Sequence, residues 1–267
     1  MDQPRLESIL PDFALDFILF VINSLFSAFL LMRRSYHSIL TQSCQLLKYH
    51  HKTPQYIRND VSKLNRIPEH YAVILDGEVD DLIGWTAEIA CWCACAGIKL
   101  LTVFERRGQL KDMYTVVHRE VGERLQNYMG AERPRLAIRS PHTTSFVNGD
   151  LTNIPSKANE LKIVLISSED GRDSIVDLAK TLCSMSKSKS FKCDELTQEV
   201  VDFELSNVMT EPDLLVLFSP NIKLQGFPPW QLRLTEIFHI QDNEEVNYAV
   251  FLKSLYKFSQ AEMRFGR

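Results

Sequence analysis

Few side chains in this 267-residue chain sit where chemistry could be done. An apolar run at residues 71–75 ends in Asp76-Gly77, and Glu78, Asp80 and Asp81 follow at once. Toward the other end, Lys223, Gln225 and Glu236 follow a second apolar run at 213–218, and the chain closes on Arg264-Phe265-Gly266-Arg267. The cysteines offer little. Cys91, Cys93 and Cys95 are spaced by single residues, whereas zinc favours C-x2-C pairs. On a helix Cys91 and Cys95 share a face and Cys93 points elsewhere, so the three cannot converge on one ion. They read as small apolar side chains of a buried helix in a reducing compartment. The seven histidines are scattered, apart from His50-His51 in a basic segment, and no G-x-S-x-G marks a nucleophile. The closest two of the ten glycines, Gly77 and Gly84, are seven apart, which excludes both the P-loop and the dinucleotide fingerprint. A net charge of −4 provides no basic field for nucleic acid.

These residues need a scaffold, and 45% hydrophobic with 24% charged residues is the composition of a folded chain. From Pro68 onward, short apolar runs at 71–75, 99–104, 135–139, 161–166 and 213–218 read as strands. Helical patterns at 81–97, 111–129, 171–185, 194–208, 230–238 and 246–264 alternate with them. In the fourth of these, Leu196, Val200, Phe203 and Val208 form the apolar stripe. Continuous apolar strands separated by helices predict an α/β domain built on a parallel sheet. Residues 140–160 read as an irregular polar stretch and 184–192 as a solvated Ser/Lys loop.

Ahead of this domain, residues 13–32 contain only Asp16, Asn23, Ser24 and Ser27 as polar positions. Twenty helical residues at ~1.5 Å each span a ~30 Å hydrocarbon core. Arg33, Arg34, Lys48, Lys52 and Arg58 follow with no acidic residue between 33 and 59, so the positive-inside rule places the remainder in the cytosol. Asp16, Asn23 and Ser27 share one narrow sector, a stripe able to pack against another membrane helix. Residues 33–66 read as a basic juxtamembrane linker with a short amphipathic helix through Tyr36, Leu40, Cys44 and Leu47. The expected organisation is a lumenal tail (1–12), a transmembrane helix (13–32), the linker (33–66) and the α/β domain (67–267).

Two stretches carry a family resemblance: Val73-Ile74-Leu75-Asp76-Gly77, and residues 211–231 with Asp213, Ser219, Lys223, Phe227, Trp230 and Gln231 in place, followed by Glu236 and the terminal Arg264-Phe265-Gly266-Arg267. Over residues 67–267 the chain resembles the cis-prenyltransferases. It is similar above all to their non-catalytic, membrane-anchored branch, the Nogo-B-receptor-like subunits of dehydrodolichyl diphosphate synthase. The resemblance implies a parallel sheet flanked by helices and a part in adding isopentenyl diphosphate to farnesyl diphosphate, which makes the polyprenyl precursor of dolichol. It also implies a place in the endoplasmic reticulum membrane. Asp76 matches the family's essential aspartate and Glu236 a residue that helps to hold magnesium.

The departures point to an accessory role. Catalytic members follow Asp-Gly with asparagine and then arginine; here Glu78, Asp80 and Asp81 stand in that region. Like charges at 4 Å cost ~4 kcal/mol at an effective dielectric near 20, so carboxylates there would repel a diphosphate. Leu217 replaces the first arginine of the family's isopentenyl diphosphate clamp, Lys223 the second, and Gln225 a serine. Lysine keeps charge but loses the bidentate fork. The expectation is a cleft too poor in cations to hold a diphosphate, with Asp76 and Glu236 as remnants, no metal ligand and no catalytic residue in this chain. Magnesium would belong to a catalytic cis-prenyltransferase partner. Arg264 and Gly266 are expected to reach that partner's site and contact isopentenyl diphosphate, arginine by charge and glycine by its accessible amide. The 230–238 and terminal helices are candidates for the shared interface, by resemblance alone. The alternatives are an enzyme acting alone through Asp76, Glu236 and Lys223, and a membrane-anchored receptor or scaffold.

Overall fold

The computed structural model describes residues 12–47, 53–141, 147–148, 160–190, 192, 196–241, 243 and 246–261. The expected tail contacts of Arg264 and Gly266, and most of the stretch at 140–160, lie outside these residues. The chain divides into two compact units, Met1–Leu47 and Lys48–Arg267.

The first unit is one helix, α1 (Asp12–Leu47), of 36 residues. Within it, Asp16–Arg33 has a mean hydropathy of 1.7 and none of it is buried against protein, so it is long and apolar enough to cross a membrane. The separate amphipathic helix expected after residue 32 is corrected: the chain runs on without a break to Leu47. No glycine or proline occurs from Asp12 to Leu47, so nothing in the sequence stops the helix there.

The second unit opens with α2 (Pro54–Val61), where proline takes the first helical position, its missing N–H being one the helix would leave unpaired anyway. It then builds strands β1 (His70–Leu75), β2 (Leu100–Glu105), β3 (Arg135–Arg139), β4 (Val147–Asn148), β5 (Glu160–Ile166), β6 (Leu214–Phe218) and β7 (Glu236–His239). Their order across the sheet is β4-β3-β5-β2-β1-β6-β7, all parallel except the short β4 at one edge. Helices α3 (Val79–Ala96), α4 (Gln109–Asp112), α5 (Tyr114–Met129), α6 (Arg172–Lys187), α7 (Gln198–Ser206) and α8 (Tyr248–Gln260) connect and flank it.

Alternation along each strand separates two apolar clusters. Tyr71, Val73, Leu75, Leu101, Val103 and Val216 pack with Trp92 of α3, Val121 of α5 and Phe251 of α8 in the larger one. Trp92, Tyr248 and Phe251 meet with ring centroids 5.6–6.0 Å apart, in tilted and edge-on arrangements. The smaller cluster holds Ala72, Ile74, Phe104, Ile166, Leu215, Leu217, Met209 and Phe227. α3 ends at Gly97 in the left-handed region (φ 83°), whose amide bonds back to Ala94 and Cys93, so glycine there is a conformational requirement.

A correction concerns residues 230–238, read as a helix. Pro229–Gln231 form a single 3-10 turn and Glu236–His239 are strand β7 on the free edge of β6. Pro228-Pro229 remove two successive amide donors, and the Glu236 amide donates to the Asp213 carbonyl (3.0 Å), starting a ladder instead of a helix. On this strand Ile237 is exposed while Phe238 packs on the larger cluster, the period-two alternation of an edge. The apolar stripe expected through Leu196, Val200, Phe203 and Val208 is also divided: Val208 is buried, while Leu196 and Phe203 are exposed.

His70 opens β1 almost fully buried, with Nε2 2.7 Å from Thr102 Oγ1 and Nδ1 3.2 Å from the Glu211 carbonyl. Burial lowers its pKa to about 4, against the opposing pull of the Glu211 carbonyl and the Asp213 carboxylate. The folded state therefore binds its proton more weakly than the unfolded chain does. The stability this contributes is complete above pH ~6.5, the unfolded value, and is lost as pH falls toward the folded value. Between pH 7.5 and pH 4 the native chain is expected to lose about 3 kcal/mol more than His70→Gln, read from denaturant midpoints at each pH. Equal losses would show that His70 does not set this dependence.

Candidate functional site

The carboxyl ends of the parallel strands gather the polar side chains, as open α/β sheets do. Asp76 follows β1, Arg106 follows β2, Ser168 and Arg172 follow β5, and Lys223, Gln225 and Gly226 follow β6. A cleft of about 450 Å³ is lined by Arg106, Ser168, Arg172, Asp173, Lys223, Gln225 and Gly226.

The loops around it are stitched together. Ser168 donates through Oγ to the Arg106 carbonyl at 2.8 Å, joining the turns after β2 and β5. Glu105, buried at the end of β2, accepts from the amides of Arg107 (2.5 Å) and Gln109 (2.7 Å) and so shapes the turn carrying Arg106. Asp170, also buried, accepts from Lys111 Nζ and from the Ser167 amide, each at 2.8 Å. Between the β5 and β6 loops the backbones nearly touch, and a Cβ built on Gly171 would lie 2.0 Å from the Gly226 carbonyl oxygen. Gln225 (φ 51°) and Gly226 (φ 98°) form a left-handed turn that turns the Gln225 amide onto Asp76, with Nε2 donating to Oδ2 at 3.0 Å.

The cleft corrects the expected shortage of cations. Three basic residues, Arg106, Arg172 and Lys223, line it against the single carboxylate of Asp173, and all three are exposed. None of the three makes an ion pair among the described residues. This arrangement can hold an anion by charge and by guanidinium hydrogen bonds. Arg106 and Arg172 were missed because they lie outside the two stretches that carry the resemblance. Arg106, two residues after the predicted strand 99–104, carried an available signal, and Arg172, at the start of the helix predicted after 161–166, a weaker one. Glu78, Asp80 and Asp81, expected to repel a diphosphate, are not among the cleft-lining residues. Glu78 is the N-cap of α3 and the other two lie in its first turn, all exposed, where they complement the helix dipole.

Other matched positions are taken up by the fold. Leu217 is completely buried in the smaller apolar cluster. Asp213 Oδ2 accepts from the amides of Glu69 (2.8 Å) and His70 (3.0 Å), fixing the entry to β1. Ser219 Oγ donates to the Asn221 carbonyl (2.7 Å), and Phe227 packs on Phe104 at 5.5 Å. Trp230 Nε1 donates to Asp202 on α7 (2.6 Å), and Gln231 Nε2 to the Leu205 carbonyl (2.9 Å). The two carboxylates matched to family ligands do not meet within this chain. Asp76 follows the carboxyl end of β1, whereas Glu236 pairs with Leu214 at the opposite end of β6. At ~3.3 Å per strand residue they stand more than ~10 Å apart along the sheet, too far to share one magnesium ion. The residues present therefore do not fit a magnesium ion bridged by this pair.

Cys91, Cys93 and Cys95 are buried along α3 and unpaired. Burial pushes their thiols up, to about 12 for Cys91 and about 11 for Cys95, which keeps them protonated and inert.

No protein-family model matches the chain. Individual relatives do. The chain is 37% identical over 253 residues to the dehydrodolichyl diphosphate synthase complex subunit nus1 of Schizosaccharomyces pombe, covering 93% of this chain and 96% of that protein. It is 34% identical over 274 residues to subunit NUS1 of the corresponding complex of Saccharomyces cerevisiae, covering 94% of this chain and 73% of that protein. Among solved structures, lavandulyl diphosphate synthase from Lavandula x intermedia, in complex with dimethylallyl diphosphate, shares the fold with a TM-score of 0.52 at 18% identity, over 75% of this chain and 99% of that one.

The contact between Gly171 and Gly226 holds two cleft loops at backbone distance, so a methyl group at residue 171 must drive them apart. Gly171→Ala is expected to destabilise the chain by about 1–3 kcal/mol in denaturant titrations, the usual cost of overpacking. A change below a few tenths would show that the loops separate freely.

Proposed function

This chain belongs to the family of dehydrodolichyl diphosphate synthase complex subunits, and from that premise we propose that it is the accessory subunit of a cis-prenyltransferase complex. The complex adds isopentenyl diphosphate to farnesyl diphosphate and makes the polyprenyl diphosphate precursor of dolichol. The observation that carries this reading is Leu217. The family's clamp has an arginine at this position, and here an uncharged side chain is fully buried among Ile74, Leu215 and Phe227. The separation of Asp76 from Glu236 supports the same reading, because it leaves no paired carboxylates for magnesium. Magnesium belongs to the partner's site, and Arg264 and Gly266 enter that site to contact the isopentenyl diphosphate. α1 holds the chain in the endoplasmic reticulum membrane with the sheet domain on the cytosolic side, a placement supported by the apolar Asp16–Arg33 stretch and the basic residues after it.

The partner docks on α6 and α7. None of the sixteen residues of α6 is buried, although its sequence has a strong apolar side. Ile175, Leu178, Ala179 and Leu182 line an apolar groove of about 470 Å³ with Leu196 and with Val201 of α7. Phe203 (69% exposed) and Val176 (48%) are further exposed apolar side chains on the same two helices. A subunit that works only in a complex must carry such a face.

The cationic cleft favours a second reading, in which the chain holds a diphosphate itself and acts alone through Asp76 and Lys223, with Glu236 too far away to join them. One experiment separates the two. The purified full chain, in detergent with magnesium, is assayed for prenyl transfer and for isopentenyl diphosphate binding, alone and with the catalytic subunit. The accessory reading expects turnover only in the complex. Turnover by the chain alone, with micromolar binding, would establish the second. For the docking face, Phe203→Asp is expected to leave folding unchanged, since the ring is already in water, and to weaken assembly at least tenfold in pull-down titrations. Unchanged assembly would remove α7 from the interface.

A further inference from the structure

We infer that Arg66 is a positioning residue for the C-terminal segment, fixing the point and direction from which residues 262–267 leave the fold. Arg66 lies between α2 and β1, far in sequence from α8. Its guanidinium carbon sits 4.1 Å from the centroid of the Phe258 ring, and Nη2 donates to the carbonyls of Phe258 (3.1 Å) and Ala261 (3.4 Å). Carbonyls at a helix C-terminus have no partner within the helix and carry the negative end of its dipole. Glycine usually resolves this by turning left-handed, but α8 ends at Ala261 with φ −70° and ψ 128°, an extended exit. The Ala261 amide turns back to the Lys257 and Phe258 carbonyls, and Arg66 adds a second donor to the Phe258 carbonyl and a donor to the Ala261 carbonyl beyond the helix. Its planar fork stacks on one ring and bonds carbonyls on either side of the helix end, a combination lysine cannot reproduce. Phe258 is itself buried, so the clamp is anchored in the core.

A segment that enters a site on another subunit must leave its own fold at the right place. A fixed origin also reduces the ordering cost of entry. This inference rests on the reading that the segment works in the partner's site.

The test uses the full-length chain in its complex. Arg66→Ala, Arg66→Lys, deletion of 262–267, and Arg66→Ala combined with the deletion are compared for assembly and for kcat and KM toward isopentenyl diphosphate. Arg66→Ala is expected to leave assembly intact and raise KM about tenfold, with a smaller change in kcat, and Arg66→Lys to restore part of the loss. In the deleted chain Arg66→Ala is expected to change nothing further, because residues that act through one another are not additive. Equal loss with and without the segment would overturn the inference and leave the tail reading standing. A deletion without effect would overturn both. Should Arg66→Ala fail to fold, Arg66→Lys against the deletion makes the same comparison.

Discussion

A parallel sheet must be covered on both faces, and this one is covered unequally. On one side α3, α5 and α8 close a large aromatic and aliphatic core around Trp92 and Phe251. On the other, a smaller cluster runs from Ala72 and Phe104 to Leu217 and Phe227, closed largely by the β6 loop and Met209. α6 contributes nothing buried to either. A helix of sixteen residues with an apolar side gains little by facing water, and its stability in isolation would be marginal. Both faces of the sheet are closed within this chain, and the uncovered apolar surface is that of α6 itself.

The same smaller cluster governs the site. Leu217 faces into it, so the position where the family needs a guanidinium is occupied by a core residue, and a charge placed there would be desolvated without a partner. Gln225 spends its amide on Asp76, which ties the one carboxylate at the end of β1 to the neighbouring loop. Cations remain in Arg106, Arg172 and Lys223, so the cleft keeps a positive lining although Leu217 is taken into the core. Electrostatic deficit, the argument that looks strongest on the sequence, is weaker in three dimensions than the loss of geometry.

Strands were legible because a buried parallel strand is an uninterrupted apolar run, and residues 71–75, 161–166 and 213–218 are bounded by polar or turn residues. The helix at Val79–Ala96 was legible by its closing glycine. β7 was not: Ile237-Phe238 is too short a run to separate two periods, and only the free edge of β6 decides the matter. The exposure of Phe203 and Leu196 was equally hidden, since periodicity marks an apolar stripe without saying what covers it. Among the site residues, Asp76, Lys223 and Gln225 were found through contiguous motifs. Arg106 and Arg172 come together only when β2 and β5 are laid side by side, which no linear pattern contains.

Motif agreement and functional agreement separate in this chain along a physical line. The matched residues Asp213, Phe227, Trp230 and Gln231 each satisfy a need of the fold: backbone amides entering β1, a ring against Phe104, a bond to α7, a bond to the Leu205 carbonyl. Such contacts cost stability when broken, whatever the chain does, so they persist independently of the chemistry at the cleft. The positions that changed, Leu217, Lys223 and Gln225, border the cleft or the cluster beneath it, where a substitution alters chemistry while the sheet stays intact. A shared sequence block therefore testifies to architecture, and the role of this chain is written in the few places where the block is broken and in the helical face left uncovered.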